Sequence, residues 1–478
     1  MKASSPNHNQ MSFMAANLLE QLNPKQPLLQ LAQRIRWDYF EPEFASLYSD
    51  IGRPAKPIRL MVGLSILKHM EDISDEVLVQ RWVQDPYYQA FCGEAEFQWS
   101  FPCDPSDLIY FRKRIGEAGC EKILAASIVI HGEKALEEEV CIDTTVHDCM
   151  EAGGRATQEA KAEEKNITFP TDAKLYRKII VHCLKLAKAH DIKLRRSYAK
   201  EIKLRKLECR FAGQPRNRAK ARKAVKRLKT IAGRLVRELE RKLPSEELEV
   251  QADRFILFHR GLDQKRGDKN KLYSLHEPHV YCMSKRLSSQ QIALTCVHAG
   301  KGKEHKRYEF GTKVSISTTR DSKIIIGAMA FDTNKYDGHT LPEVLLQLKR
   351  LTQLSPTVAL CDRGYKGKSK INETRIIRPS TTTRDTDSAY KKLMRLRFRK
   401  RAGIEPVIGH LKSDHRLNRN YLKGFQGDQI NVLMAAAAFN FRKWMRLFLL
   451  AVKKATLWRF ILRLMVFPVR TDLAVLVN

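Results

Sequence analysis

The chain reads as a mixed α/β core behind an all-helical region, and three observations predict it. Short apolar runs of strand composition end in acidic residues at Asp143 and Asp362. Two β-rich stretches, 308–317 and 323–331, flank the polar turn Thr318 to Ser322, as a hairpin does. The segments outside these runs space their apolar residues with a helical period.

Residues 1–25 are polar and read as a disordered N-terminus. Gly52 to Pro57 is turn-rich punctuation. Ile58 to Met70 has helical spacing, Ser74-Asp75-Glu76 starts another helix, and Asp104-Pro105-Ser106 caps a third. Residues 26–130 are therefore expected to form a helical N-terminal domain. Its Arg112 and Arg114 suit phosphate contact and an ordinary surface equally well. From Glu138 the grammar changes. Val140 to Asp143 is a buried strand candidate, followed after a long interval by the hairpin. Then come a helix over 341–351, strands over 357–361 and 374–377, and helices over 391–412 and 428–447. Three strands, a helix, two strands and helices is the order of a ribonuclease-H-like unit, here 131–450. Residues 151–275 interrupt it as a basic helical insert, and 451–478 form a helical tail.

Charge narrows the partner. The chain carries 86 Lys and Arg against 53 Asp and Glu, a formal net charge of +33. Thr171 to Lys242 alone holds 25 basic and 6 acidic residues, a net of +19. A solvated helical face usually mixes both signs, so nucleic acid is favoured over a membrane surface. The ten cysteines form no Cys-x-x-Cys pair, and the N-terminus carries no secretory signal, which fits reduced thiols in a cytosol. The apolar tail is broken by Lys453, Lys454, Arg459, Arg463 and Arg470 and is not read as a membrane span.

Asp143, Asp362 and Glu405 stand out against this basic background. Carboxylate oxygens are hard ligands suited to Mg²⁺ or Mn²⁺. Two such ions about 4 Å apart can serve both the attacking and the leaving oxygen of a phosphodiester. A lone Asp at a strand end is more often a turn cap. Asp362 is raised by its setting, Arg363-Gly364-Tyr365-Lys366-Gly367, which offers glycines for close approach and Arg363 and Lys366 for phosphate. On one continuous helix Phe398, Arg401, Glu405 and Lys412 would fall within a face of roughly 60°. A solvated i, i+4 ion pair is the plainer account, and Pro406 would either kink that helix or start a new one. His276, His279 and Cys282 have no fourth zinc ligand at suitable spacing and read as turn and strand residues.

These motifs resemble those of bacterial insertion-sequence transposases with an Asp-Asp-Glu site, of the insertion-sequence-four/five superfamily, nearest the five type. The superfamily's signature is Tyr, two residues, Arg, three residues, Glu, six residues, Lys. Here Phe398, Arg401, Glu405 and Lys412 keep every spacing, with Phe for Tyr. Ile142 to Val146, Tyr336 to Leu341, Cys361 to Tyr365 and Gly403 to Lys412 also match, and Gly52 to Gly93 resembles the helical domain that precedes such cores. The resemblance covers roughly residues 40 to 445. It implies Mg²⁺-dependent (or Mn²⁺-dependent) cleavage and strand transfer at terminal inverted repeats. Asp143, Asp362 and Glu405 would be the metal ligands, with Arg401, Lys412 and Phe398 at the DNA. It further implies double-stranded DNA, both element ends and target, as partner, a homodimer in a synaptic complex, and a cytoplasmic, nucleoid-associated place in a bacterium.

One departure stands out. The family runs quickly from the His276 region into Tyr308 to Gly311, whereas here residues 286–301 look extra. They are either a tolerated loop or the mark of an inactive copy. A catalytically inactive, repurposed DNA-binding relic is therefore the alternative, and it would keep the basic insert without needing the acids.

Overall fold

The computed structural model describes residues 17–49, 54–137, 139–148, 170–210, 214–265, 268, 271–284, 308–379, 388–418 and 420–466. The extra stretch 286–301 lies outside them. Seven helices come first: α1 (Leu18–Gln21), α2 (Pro27–Arg34), α3 (Phe40–Ala45), α4 (Ile58–Met70), α5 (Asp75–Gln84), α6 (Pro86–Cys92) and α7 (Pro105–Val129). Their ends are written in local chemistry. The Asp85 carboxylate accepts the Tyr87 and Tyr88 amides with Pro86 at the first turn, and Gly93 stops α6 at φ 99°. Asp104 and Asp107 form a reciprocal capping box around Pro105. Helix α4 is buried on nearly all sides, so it runs through the core rather than over it. The expectation of a loose stretch to residue 25 is corrected from residue 17 onward. Leu18 is buried among Leu29 and Ala90, and its amide bonds the Ala95 carbonyl.

A seven-stranded sheet follows, made of β1 (Glu139–Asp148), β2 (Tyr281–Ser284), β3 (Tyr308–Thr319), β4 (Ile325–Phe331), β5 (Val358–Leu360), β6 (Lys370–Ile371) and β7 (Thr374–Ile377). Its order is β2-β3-β1-β5-β7-β6, with β4 also paired to β3. Strand β3 is antiparallel to β1, β2 and β4, whereas β5 is parallel to both β1 and β7. This is the expected ribonuclease-H-like mixed sheet. Helix α13 (Asp337–Thr352) crosses from β4 to β5, and α14 (Ser388–Arg401), α15 (Ile404–Asp414) and α16 (Gly424–Val466) close the chain.

One hydrophobic core joins the N-terminal helices, the sheet and α16. Strand β4 would otherwise show an open edge to these helices. Its amides are satisfied by side chains: Ile325 by Asn440 (2.9 Å), Ala328 by Gln347 (3.0 Å) and Ala330 by Gln429 (2.7 Å). Between β1 and β2 the insert folds on a core of its own. Its helices are α8 (Asp172–Ala189), α9 (Ala199–Arg210), α10 (Arg218–Lys242), α11 (Ser245–Val250) and α12 (Ala252–Asp263), of which α8 supplies Ile179, α10 Leu228 and Leu235, and α12 Phe258 to that core. Where the chain leaves the insert, His279 contacts Asp428 of α16 at 2.9 Å, and Thr312 and Asn420 bond the same carboxylate. No helix among the described residues is long and apolar enough to cross a membrane.

Arg112 proves to be a core residue rather than a surface cation. Its guanidinium grips Asp75 at 2.9 and 2.7 Å, and Lys68 reaches the same carboxylate at 2.8 Å. Burial pushes the Asp75 carboxyl up, but the Arg112 bonds and the Lys68 charge outweigh it and hold it at about 2. That lies below its ordinary 3.8, so the stabilisation is present above about pH 4 and is lost as pH falls through about 2. Asp75→Asn leaves two buried cations uncompensated. We expect it to cost about 3–5 kcal/mol at pH 7, read as a lowered urea midpoint, and much less near pH 2.

Candidate active site

The site forms where β1 outruns β5. Strand β5 pairs only with Glu139 to Cys141, whereas β3 follows β1 from Val140 to Asp148. Asp143 is therefore mid-strand and not at a strand end as its flanking run suggested. It lies just past the last β5 pair, where that side of β1 opens. Asp362 follows β5 by two residues and emerges at the same opening. The shared register of Cys141 with Leu360 puts the two acids side by side.

Glu405 arrives on α15. The continuous helix expected over 391–412 is broken: α14 ends at Arg401 and α15 begins at Ile404. Lys323 makes the break. Its ammonium donates to the carbonyls of Arg320 (2.6 Å) and Lys400, capping α14. A Cβ on Gly403 would lie 2.6 Å from Lys323 Cε, so a larger residue here would push the lysine side chain aside. Pro406 sits in the first turn of α15, where its missing amide costs no bond. The single-face argument thus holds from Glu405 onward. Lys412 lies on the same face of α15, two turns along.

All three acids meet one cation. Arg401 stands 3.5 Å from Asp143, 3.9 Å from Asp362 and 3.6 Å from Glu405. Its side chain is 11% exposed, while those of Asp362 and Glu405 are 53% and 66% exposed. The Asp143 carboxylate also accepts the Thr144 amide at 2.9 Å. Burial first, and then the charges of Asp362 and Glu405, push the Asp143 carboxyl up to about 6 against the pull of Thr144 and Arg401. Arg363 and Lys366 are exposed on the loop after β5, beside Asp362. Phe398 differs from expectation. Its ring is half-buried against Cys141, Leu360, Ile377 and Ile404, beneath the site rather than on an open face.

Two tyrosines that carried no assigned role hold the Asp362 loop. The Tyr336 hydroxyl donates to the Gly364 carbonyl and accepts the Lys366 amide at 2.8 Å. Tyr365 is buried and bonds Thr144 on β1 through its hydroxyl. A Cβ on Gly338 would come within 2.3 Å of the Lys366 carbonyl, so α13 approaches this loop only through glycine. The motif Tyr336-Asp337-Gly338 was the available signal, but its partner is 28 residues away.

The donor set suits a hard divalent cation, since it offers only carboxylate oxygens. As placed, no three acidic, histidine or cysteine side chains among the described residues stand close enough to hold an ion. The three acids stand around the Arg401 guanidinium instead.

A raised Asp143 value has a defined sign. The folded chain keeps the proton to about pH 6, whereas an unfolded carboxylate loses it near 3.8. Stability therefore declines as pH rises from about 4 through 6. Without metal, Asp143→Asn should raise the melting temperature at pH 7.5 by the equivalent of about 1–3 kcal/mol and leave it unchanged below pH 4.

Comparison with known proteins bears on this geometry. Residues 16–114 match the family described as Transposase domain (DUF772), and residues 284–441 match the family described as Transposase DDE domain. The second match contains Asp362, Arg401, Glu405 and Lys412, and the whole insert, with Asp143 before it, lies between the two. A Rhizobium meliloti protein described as "Uncharacterized protein ORF8 in nfe locus" is 39% identical over 212 residues, covering 42% of this chain and 93% of that protein. No solved structure matches. A transposase DDE domain implies phosphodiester cleavage and a DNA partner. With a transposase-type helical domain in front of a DDE core, the chain belongs to the DDE transposases.

Proposed function

We propose that this transposase binds the terminal inverted repeats of an insertion sequence of the five type, and cuts and joins DNA there with Mg²⁺ or Mn²⁺. The observation that carries this reading is the meeting of Asp143, Asp362 and Glu405, from three distant segments, on one guanidinium. In this reading those three carboxylates are the metal ligands. Bound ions would polarise the phosphodiester and favour deprotonation of the attacking water or 3′-hydroxyl. Thr144 fixes one oxygen of Asp143, and the Tyr336 and Tyr365 hydroxyls hold the loop that carries Asp362. Arg363 and Lys366 lie exposed where a phosphate backbone would pass, and Arg401 and Lys412 flank Glu405. Phe398 serves them by packing beneath Ile404.

DNA would be gripped mostly outside the acids. The turn Pro215–Asn217 and the first turns of α10 expose Arg216, Arg222, Lys223 and Lys226, cations that would suit a phosphate backbone. Residues 26–130 would share the end DNA with the insert, and 131–450 would carry the chemistry; of the expected tail 451–478, residues 467–478 lie outside the described residues. Holding two ends together calls for a homodimer, placed with the chromosome in the bacterial cytoplasm.

Excision of a marker flanked by the gene's own bordering DNA tests the reading. The native chain should excise it, and Asp362→Asn should reduce excision by at least about a thousandfold, as loss of a central electrostatic group does. Equal failure of both, with binding to the flanks retained, would leave a DNA-binding relic. Changing Arg216, Arg222, Lys223 and Lys226 together to Gln should flatten the slope of log affinity against log salt by about 3–4. Flank and unrelated duplexes should weaken alike, because phosphate contacts carry no sequence information. An unchanged slope would place the DNA elsewhere.

A further inference from the structure

Arg401 is unusual among the cations around the acids. Arg363 and Lys366 are exposed on their loop, whereas Arg401 is the last residue of α14 and is largely buried. Its guanidinium contacts every acid of the site and is fixed from behind. Lys323 holds the end of α14 through the Lys400 carbonyl, Lys400 pairs with Asp321, and Arg397 and Arg320 share Glu139. The backbone under Arg401 is therefore anchored to β1 and to the β3–β4 turn, while the three acids are the ion-pair partners of its guanidinium. Three carboxylates at one place repel one another, and a guanidinium with five N–H donors is suited to bridging them.

We propose that Arg401 is a positioning residue that competes with the divalent ions: it is the resident counter-cation of the acid triad, and it must leave before the acids can close on metal. This rests on the metal-binding reading above. A cation and a divalent ion cannot both occupy the centre of three acids without strong mutual repulsion. With metal held by Asp143, Asp362 and Glu405, the guanidinium would turn toward the open side of the site, where a phosphate of bound DNA could receive it. Loading of metal and gripping of DNA become linked through one side chain, and DNA that captures the expelled arginine raises metal affinity by the same factor that metal raises DNA affinity. The acids are thereby held together, and screened from one another, when no ion is bound.

The test is Mn²⁺ binding to the full chain without DNA, followed by the electron paramagnetic resonance of free Mn²⁺, for the native chain, Arg401→Gln, Arg401→Lys and Asp362→Asn. Competition predicts that Arg401→Gln binds Mn²⁺ about tenfold more tightly than the native chain, since a repelling charge is gone. Arg401→Lys, whose ammonium cannot span three carboxylates, should tighten binding by a smaller factor; it carries the test should the Gln variant not fold, as judged by circular dichroism. Unchanged or weaker Mn²⁺ binding in these variants, with native binding abolished by Asp362→Asn, would overturn the competition and leave the metal site standing. Native binding that is absent, or indifferent to Asp362→Asn, would overturn the metal reading and this inference with it.

Discussion

The site depends on a parallel pairing only three residues long. Glu139, Val140 and Cys141 lie beside Val358, Ala359 and Leu360, and nothing longer joins β1 to β5. That brevity is what makes a site. Had β5 run on beside β1, Asp362 would lie within a strand instead of on the turn beside Asp143. Because β5 stops, its chain turns outward at Asp362 while β1 continues against β3. Two acids separated by more than two hundred residues are thus presented at one notch. The pairing is held on one face by the main core through Val140, Ala359 and Ile376. On the other it is held by the small cluster of Cys141, Leu360, Ile377 and Ile404. Ile404 belongs to the helix that delivers the third acid, so the same packing that registers the strands also seats Glu405.

Electrostatics then set the working conditions of this notch. Acidic residues are the minority in a chain of net charge +33, yet three of them meet here. Lysines and arginines nearby make the surroundings attractive to phosphate, while Arg401 at the centre lets the carboxylates coexist. Asp143, the most buried of the three, bears the cost, with its carboxyl pushed up to about 6. A cation in that notch eases the repulsion among the three acids when all are ionised.

The N-terminal helices and the insert meet this core differently. The N-terminal helices share the main core, and side-chain amides from α13 and α16 cover the β4 edge where they pack. A shift in those helices would reach the sheet directly. The insert has a separate core and joins through β1, β2 and the buried Asp428 network with His279, Thr312 and Asn420. A self-contained basic module inserted between the first two strands can present many phosphate contacts without disturbing the strand register.

Much of this was legible in one sequence, for local reasons. Strand runs, the hairpin turn and the capping residues Asp85 and Asp104 are short-range signals, and their chemistry needs only neighbours. The three acids were legible because each sits in a distinctive short motif. What stayed hidden needed partners far along the chain. Pro406 had signalled a kink or a new helix there, but the bond from Lys323 to the Lys400 carbonyl, reaching across some eighty residues, could not be read locally. Asp143 looked like a strand terminus because an apolar run ends there, but β3 keeps β1 extended to Asp148. Arg112 could not be told from a surface cation until Asp75 was seen beneath it, and Phe398 could not be placed until the β1–β5 cluster was. The sequence by itself determined which elements form and which acids are candidates, because propensity and motif are local. Only the tertiary structure decided that those acids share one arginine, because that is a matter of register between strands and helices remote in the chain.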